Sequence, residues 1–262
     1  MKIMEPLYII KVGGSIIDDA SNLKTFLAAF ARIQGKKILV HGGGKIATKL
    51  AADLSIPQQM VDGRRITDQE TLKVVTMVYA GWINKQLVAQ LNALASPSIG
   101  ICGADASIII AHKRKHPNID FGFVGDVDQV QTDLLLSLLQ NNLNIIIAPI
   151  TQDESGQLLN TNADTIAQEI AKAMSKHAAT TLVYSFEKKG VLKDVNDEHS
   201  VIPTIDQALY QQLKEQHSIF AGMIPKLDNA FAAISSGVSK VIIGDAMELN
   251  ELINGKSGTT IS

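Results

Sequence analysis

Residues Ile38-Leu39-Val40-His41-Gly42-Gly43-Gly44-Lys45 constrain this chain more than any other stretch. An apolar, β-branched run stops at three consecutive glycines, and helix-spaced apolar residues (Ile46, Leu50, Ala51, Leu54) begin at once. The pattern predicts strand, tight turn and helix. Backbone N–H groups in such a turn have no side chain to shield them and stand at the positive end of a helix. They can therefore take an anion, most naturally a phosphate or a carboxylate. Tyr8-Ile9-Ile10-Lys11-Val12-Gly13-Gly14-Ser15 repeats the design, now with a lysine inside the strand. A lysine in an apolar strand is costly unless its ammonium reaches a partner.

The 262 residues are enough for one large α/β unit or two lobes. A net charge of −2 gives no sign of a nucleic-acid or membrane surface, and no apolar run approaches the roughly 20 residues of a membrane span. The short basic cluster His112-Lys113-Arg114-Lys115-His116 reads as a solvated loop. The single cysteine, Cys102, excludes an internal disulfide and fits a reducing compartment, and its isoleucine neighbours suggest a buried apolar role. No charged-then-apolar leader opens the chain, so a cytoplasmic protein is expected.

Strand and helix signals alternate along the whole chain. Strands are expected at 7–12, 37–41, 98–102, 107–111, 144–150, 181–185, 239–243 and 259–261, and a glycine-punctuated hairpin at 121–131. Helices are expected at 22–33, 45–55, from Thr67 or Asp68 to about Leu94, at 132–139, to about Met174, and at 205–216, 226–236 and 246–253. The alternation predicts an open, mainly parallel α/β sheet with helices on both faces, a three-layer αβα sandwich. Residues 176–180 read as a hinge between two lobes, 1–175 and 176–262. Asn160, Asn162 and Asp164 sit at alternate positions where a helix opens, and capping that helix needs only one of them.

Two glycine turns point to two anionic groups side by side. Lys11 and Lys226 flank them from opposite halves of the chain, and Arg65 and Asn160 add side-chain donors. Lys226 opens a helix, where a cation is unfavourable unless an anion lies nearby. Phosphoryl transfer needs such a set: donors fixed around charge spread over phosphate oxygens. The Walker pattern is absent, and so is the Gly-x-Gly-x-x-Gly dinucleotide fingerprint of a dehydrogenase.

Five segments occur in order over nearly the whole chain. They are Ile10-Lys11-Val12-Gly13-Gly14, His41-Gly42-Gly43-Gly44, Asp62-Gly63-Arg64-Arg65-Ile66-Thr67, Asn160-Thr161-Asn162-Ala163-Asp164 and Gly222-Met223-Ile224-Pro225-Lys226. Together they resemble the amino acid kinase family, and within it the kinases of N-acylated glutamate. The resemblance implies ATP-dependent phosphorylation of the γ-carboxylate of N-acetyl-L-glutamate to N-acetyl-L-glutamyl 5-phosphate, a step of arginine biosynthesis, with Mg²⁺ accompanying ATP. It implies catalytic roles for Lys11, Asp164 and Lys226, with Asp164 holding both lysines. It implies that Gly43, Gly44, Arg65, Asn160 and Asn162 bind the acylglutamate, Arg65 on its α-carboxylate. The nucleotide falls to Lys11, Gly13, Gly14, Ser185, Gly190, Gly222 and Lys226, and no protein metal site is implied. The N-terminal lobe would bind the acylglutamate and dimerise, and the C-terminal lobe would bind ATP.

The chain departs from the family pattern at three places. Phe186-Glu187-Lys188-Lys189-Gly190 stands where an aspartate is usual, Ala221 precedes Gly222 where another is usual, and Arg64 replaces an apolar residue. Arg64 raises a second substrate, N-succinylglutamate, whose extra carboxylate it would pair. The unusual nucleotide loop raises a non-catalytic acylglutamate or nucleotide sensor of the same fold. Arginine-sensitive relatives carry an extra N-terminal helix that links dimers. About six residues precede the first strand here, so the resemblance implies a homodimer without arginine inhibition.

Overall fold

The computed structural model describes residues 3, 5–61, 64–194, 196–216 and 223–262. β1 (Leu7–Val12) leads into α1 (Gly14–Asp18) and α2 (Ala20–Arg32), and β2 (Lys36–His41) into α3 (Gly44–Asp53). The paired strands β3 (Gln59–Val61) and β4 (Arg64–Ile66) precede α4 (Gln69–Thr76), a π-helical turn (Met77–Ile83) and α5 (Asn84–Ala93). β5 (Ser98–Cys102), β6 (Ile109–Lys113), β7 (Val124–Val130), α6 (Asp133–Gln140), β8 (Asn144–Ala148), β9 (Ile150–Gln152) and β10 (Leu158–Thr161) follow. α7 (Ala163–Met174), β11 (Thr180–Phe186), β12 (Thr204–Ile205), α8 (Gln207–Glu215), α9 (Ile224–Ser235), β13 (Lys240–Asp245), α10 (Leu249–Ile253) and β14 (Thr259–Ile261) complete the described chain.

Successive strand side chains face opposite ways, and β1 shows what this does to the core. Leu7 and Ile9 join the cluster built with α6, α7 and α9, whereas Ile10 and Val12 join the one built with α2, α3 and α5. Leu23, Phe26, Leu27 and Phe30 of α2 are buried on the second face, and Ile166, Ile170 and Met174 of α7 on the first. Each such side chain contributes about 1.5–3 kcal/mol by leaving water. Lys11 follows Leu7 and Ile9 onto the α7 face. Lys37 is buried at the opposite end of the sheet, where its ammonium donates to Phe30 O (3.2 Å) and Ile33 O (2.9 Å) and so closes the C-terminus of α2.

The main sheet runs β12-β14-β13-β11-β1-β2-β8-β5. Pairing is parallel from β13 across to β5, and β14 lies antiparallel to β13. This is the expected three-layer, mainly parallel α/β architecture. β11 pairs directly with β1, so the sheet is continuous across residues 176–180.

Local expectations fail in three places. Residues 121–131 are not a hairpin, because β7 takes β6 as its antiparallel partner. Gly122 (φ +69°) makes the turn into that strand, and Gly125 lies within it, where a Cβ would stand 2.6 Å from Thr161 Oγ1. β10, β7, β6 and β9 close into a second, four-stranded ring beside the main sheet. The helix expected from Asp68 to Leu94 runs through seven π-helical residues.

Candidate active site

Ligands of open parallel sheets bind beyond the C-terminal strand ends, and both glycine turns stand there. Lys11 Nζ lies 2.8 Å from Asp164 Oδ1, joining β1 to the first turn of α7. Oδ1 is buried and makes no hydrogen bond of good geometry, so it engages Lys11 through charge. Asn162 caps α7 by accepting from the N–H groups of Asp164 (2.8 Å) and Thr165 (3.2 Å), which fixes the turn that carries Asp164. Tyr184, on β11 beside Lys11, donates to Asp164 O at 3.4 Å. Burial and the neighbouring Asp164 and Glu169 push its phenol well above the ordinary tyrosine range.

Lys226 reaches the same strand from α9. Its Nζ lies 4.4 Å from the centroid of the Phe186 ring, two residues beyond Tyr184 and on the same face of β11. Gln168 of α7 donates to Asn229 O of α9 at 3.0 Å, about one turn beyond Asp164 and Lys226 respectively. The structure therefore brings both lysines to the end of β1 and β11. It does not place Asp164 between them: among the described residues Asp164 pairs with Lys11, and Lys226 makes no ion pair. One carboxylate and two ammonium groups at these strand ends leave an excess of positive charge. The Gly13 N–H donates to Ser185 O (2.9 Å) and Ser185 Oγ to Lys11 O (2.9 Å), which locks the first glycine turn to β11. A Cβ on Gly14 would meet nothing within 4 Å, so that turn faces open space. Gly190 instead packs under the end of the sheet, with Thr259 Oγ1 2.8 Å and Val201 Cγ1 2.9 Å from where its Cβ would be. Gly222 lies outside the described residues.

The second glycine turn borders a cavity of about 240 Å³ lined by Gly42, Gly43, Gly44, Arg64, Arg65, Tyr79, Arg114, Asn160 and Asn162, among others. Arg65 Nη2 donates to Gly44 O (3.0 Å) and Thr48 Oγ1 (2.9 Å), and Nη1 donates to Gln58 Oε1. The guanidinium is thus oriented before any ligand arrives. Asn160 donates to Thr67 Oγ1 at 3.0 Å. Gly43 adopts φ +147°, and a Cβ there would collide with Ile83 Cδ1.

Sequence reasoning missed three contributors. Arg114, assigned to a solvated loop, forms part of the cavity wall, and its Nε lies 3.1 Å from both oxygens of Asp126. Its hydrogen bond holds the Asp126 carboxyl below the usual range. The signal was the Asp126/Asp128 pair, which stands across the β6–β7 ladder from Arg114 and His112. Tyr79 reaches the cavity from the π-helical turn. Asn84, fully buried, donates to His41 Nε2 (3.3 Å) and Ile146 O (2.9 Å), while His41 Nδ1 donates to Gly42 O (2.8 Å). Burial lowers the His41 pKa to about 4, so the ring is neutral and serves to brace the turn. Cys102 is half-buried and, as its sequence neighbours suggested, unsuited to catalysis: burial pushes its thiol up to about 11.

The model of the amino acid kinase family matches residues 6–245. An acetylglutamate kinase of Parabacteroides distasonis is 54% identical over 248 residues, covering 95% of this chain and 97% of that protein. One of Cytophaga hutchinsonii is 55% identical over 252 residues, with 96% of each covered. Among solved structures, smu.665 from Streptococcus mutans superposes with a TM-score of 0.76 at 26% identity over 98% of both chains.

Proposed function

Because the chain belongs to the amino acid kinase family, we propose that it transfers the γ-phosphoryl group of ATP to the γ-carboxylate of N-acetyl-L-glutamate, the acetylglutamate kinase step of arginine biosynthesis. The observation that carries this reading is the Lys11–Asp164 pair at the end of β1, with Lys226 held over Phe186 at the end of the neighbouring β11. The oriented Arg65 stands at the second glycine turn.

A γ-carboxylate oxygen attacks the γ-phosphorus, the bond from phosphorus to the β,γ-bridging oxygen breaks, and ADP keeps the electron pair. A glutamate side chain has a reference pKa of about 4.3, so the nucleophile is already ionised and no general base is needed. Asp164 accordingly orients Lys11 and takes no proton. The two ammonium groups offset the repulsion between an anionic nucleophile and an anionic phosphate, and they stabilise charge on the transferring group. Arg65 takes the α-carboxylate, and Gly43, Gly44, Asn160 and Asn162 complete the acylglutamate site. Gly13 and Gly14 cradle the ATP phosphates beside Ser185. Among the described residues no three His, Cys, Asp or Glu side chains converge on one point. Mg²⁺ bound with ATP would neutralise charge on its phosphates.

Residues 1–175 make the acylglutamate lobe and 176–262 the nucleotide lobe of a cytoplasmic homodimer. Met77 and Trp82, 52% and 64% exposed and five residues apart on the π-helical turn, support a second copy as the cover for this face. A dicarboxylic acyl group is the second substrate reading, favoured by Arg64 in the cavity wall beside the already paired Arg114. Incubation with ATP, Mg²⁺ and either N-acetyl- or N-succinylglutamate, with hydroxylamine present, tests both. Equimolar ADP and hydroxamate are expected. ADP without hydroxamate contradicts acyl-phosphate formation, and rates that are equal or favour the acetyl substrate remove the succinyl reading.

A further inference from the structure

Lys226 occupies the first turn of α9, where the helix dipole opposes a cation. Its ammonium nevertheless lies 4.4 Å from the centre of the Phe186 ring, within cation–π range. Phe186 is the last residue of β11, and its Cα and Cβ stand 3.5 Å from the point where a Cβ on Gly13 would lie. The ring is thus anchored on the strand that also holds the first glycine turn.

We propose that Phe186 is a positioning residue for Lys226: its ring face seats the ammonium at the nucleotide edge before the phosphates arrive. The inference rests on the phosphoryl-transfer reading. A second carboxylate could hold the lysine equally well, but it would cancel the charge that must meet the γ-phosphate. Asp164 already offsets one of the two lysines. An aromatic face attracts the ammonium through its quadrupole and leaves its full charge available. The contact is also weaker than a charge-assisted bond to phosphate, so incoming nucleotide can take the lysine over.

Fluorinating the ring drains its π face with little change of shape, so mono-, di- and trifluorophenylalanine at position 186 separate electrostatics from packing. KM for ATP should rise with each fluorine, reaching about three- to tenfold, while KM for the acylglutamate moves less than twofold. Phe186→Leu should match the trifluoro variant, and Phe186→Tyr should restore the ATP KM. In a Lys226→Met background the fluorine series should become flat. A flat series in the wild-type background overturns the proposal. So does a Tyr variant as impaired as Leu, or a series that persists without Lys226. Wild-type protein that releases no ADP overturns the phosphoryl-transfer reading as well, which sets that failure apart from a flat series in an active enzyme.

Discussion

Lys11 and Asp164 meet at 2.8 Å although they come from distant parts of the sequence, because β1 presents its odd-numbered side chains to the face on which α7 packs. The pair sits where the dipoles of the strand-following turns and helices point their positive ends. Asp164 holds Lys11 at the end of β1. Lys226 reaches the end of β11 by a separate route, over Phe186.

The burial of His41 makes stability depend on pH. The folded pKa of His41 is depressed to about 4, against about 6.5 when unfolded, so the unfolded chain binds more protons between these values. This contribution is fully present above about pH 6.5. It is lost as pH falls towards 4, up to about 3 kcal/mol in all. Urea unfolding at a series of pH values should show that slope, and His41→Gln should flatten it.

Gly43→Ala should cost both fold and substrate binding. The residue sits at φ +147°, and the added methyl would strike Ile83. Strain and overpacking together predict a loss of about 2–5 kcal/mol, read by thermal or urea melts. The acylglutamate KM should rise in whatever protein folds.

Arg65→Lys should raise the KM for acylglutamate about 10- to 100-fold and leave that for ATP within about twofold. Lysine cannot keep the contacts to Gly44, Thr48 and Gln58 while presenting two parallel donors to a carboxylate. Steady-state kinetics with each substrate varied in turn checks the split.

Trp82→Lys should convert a dimer into a monomer on light scattering while the melting temperature of the fold stays close to that of wild type. The indole is 64% exposed, so it lends the isolated chain little packing. An unchanged dimer would move the interface away from the π-helical turn.

Much of this architecture was legible because it is local. A lysine inside an apolar strand called for the partner that Asp164 provides, glycine runs marked the turns after β1 and β2, and one of Asn160, Asn162 and Asp164 had to cap α7, as Asn162 does. The parts that escaped depend on partners distant in sequence. β6, β7, β9 and β10 close a ring through pairings that no single segment encodes. Arg114 looked solvated because Asp126 comes twelve residues later on the facing strand. The π-helical turn leaves the apolar spacing of a long helix almost intact, so Tyr79 gave no sign of reaching the cavity. Asp164 seemed to hold both lysines because the motif names the three residues without their distances. Phe186 supplies the second seat.

The most direct test of the central claim is Lys11→Met, followed by kcat for ADP release and by calorimetric binding of N-acetylglutamate. A clamp on the migrating phosphoryl group predicts a kcat at least about 100-fold lower with acylglutamate affinity changed less than about threefold. Undiminished kcat, or a collapse of acylglutamate binding with kcat retained, would contradict it.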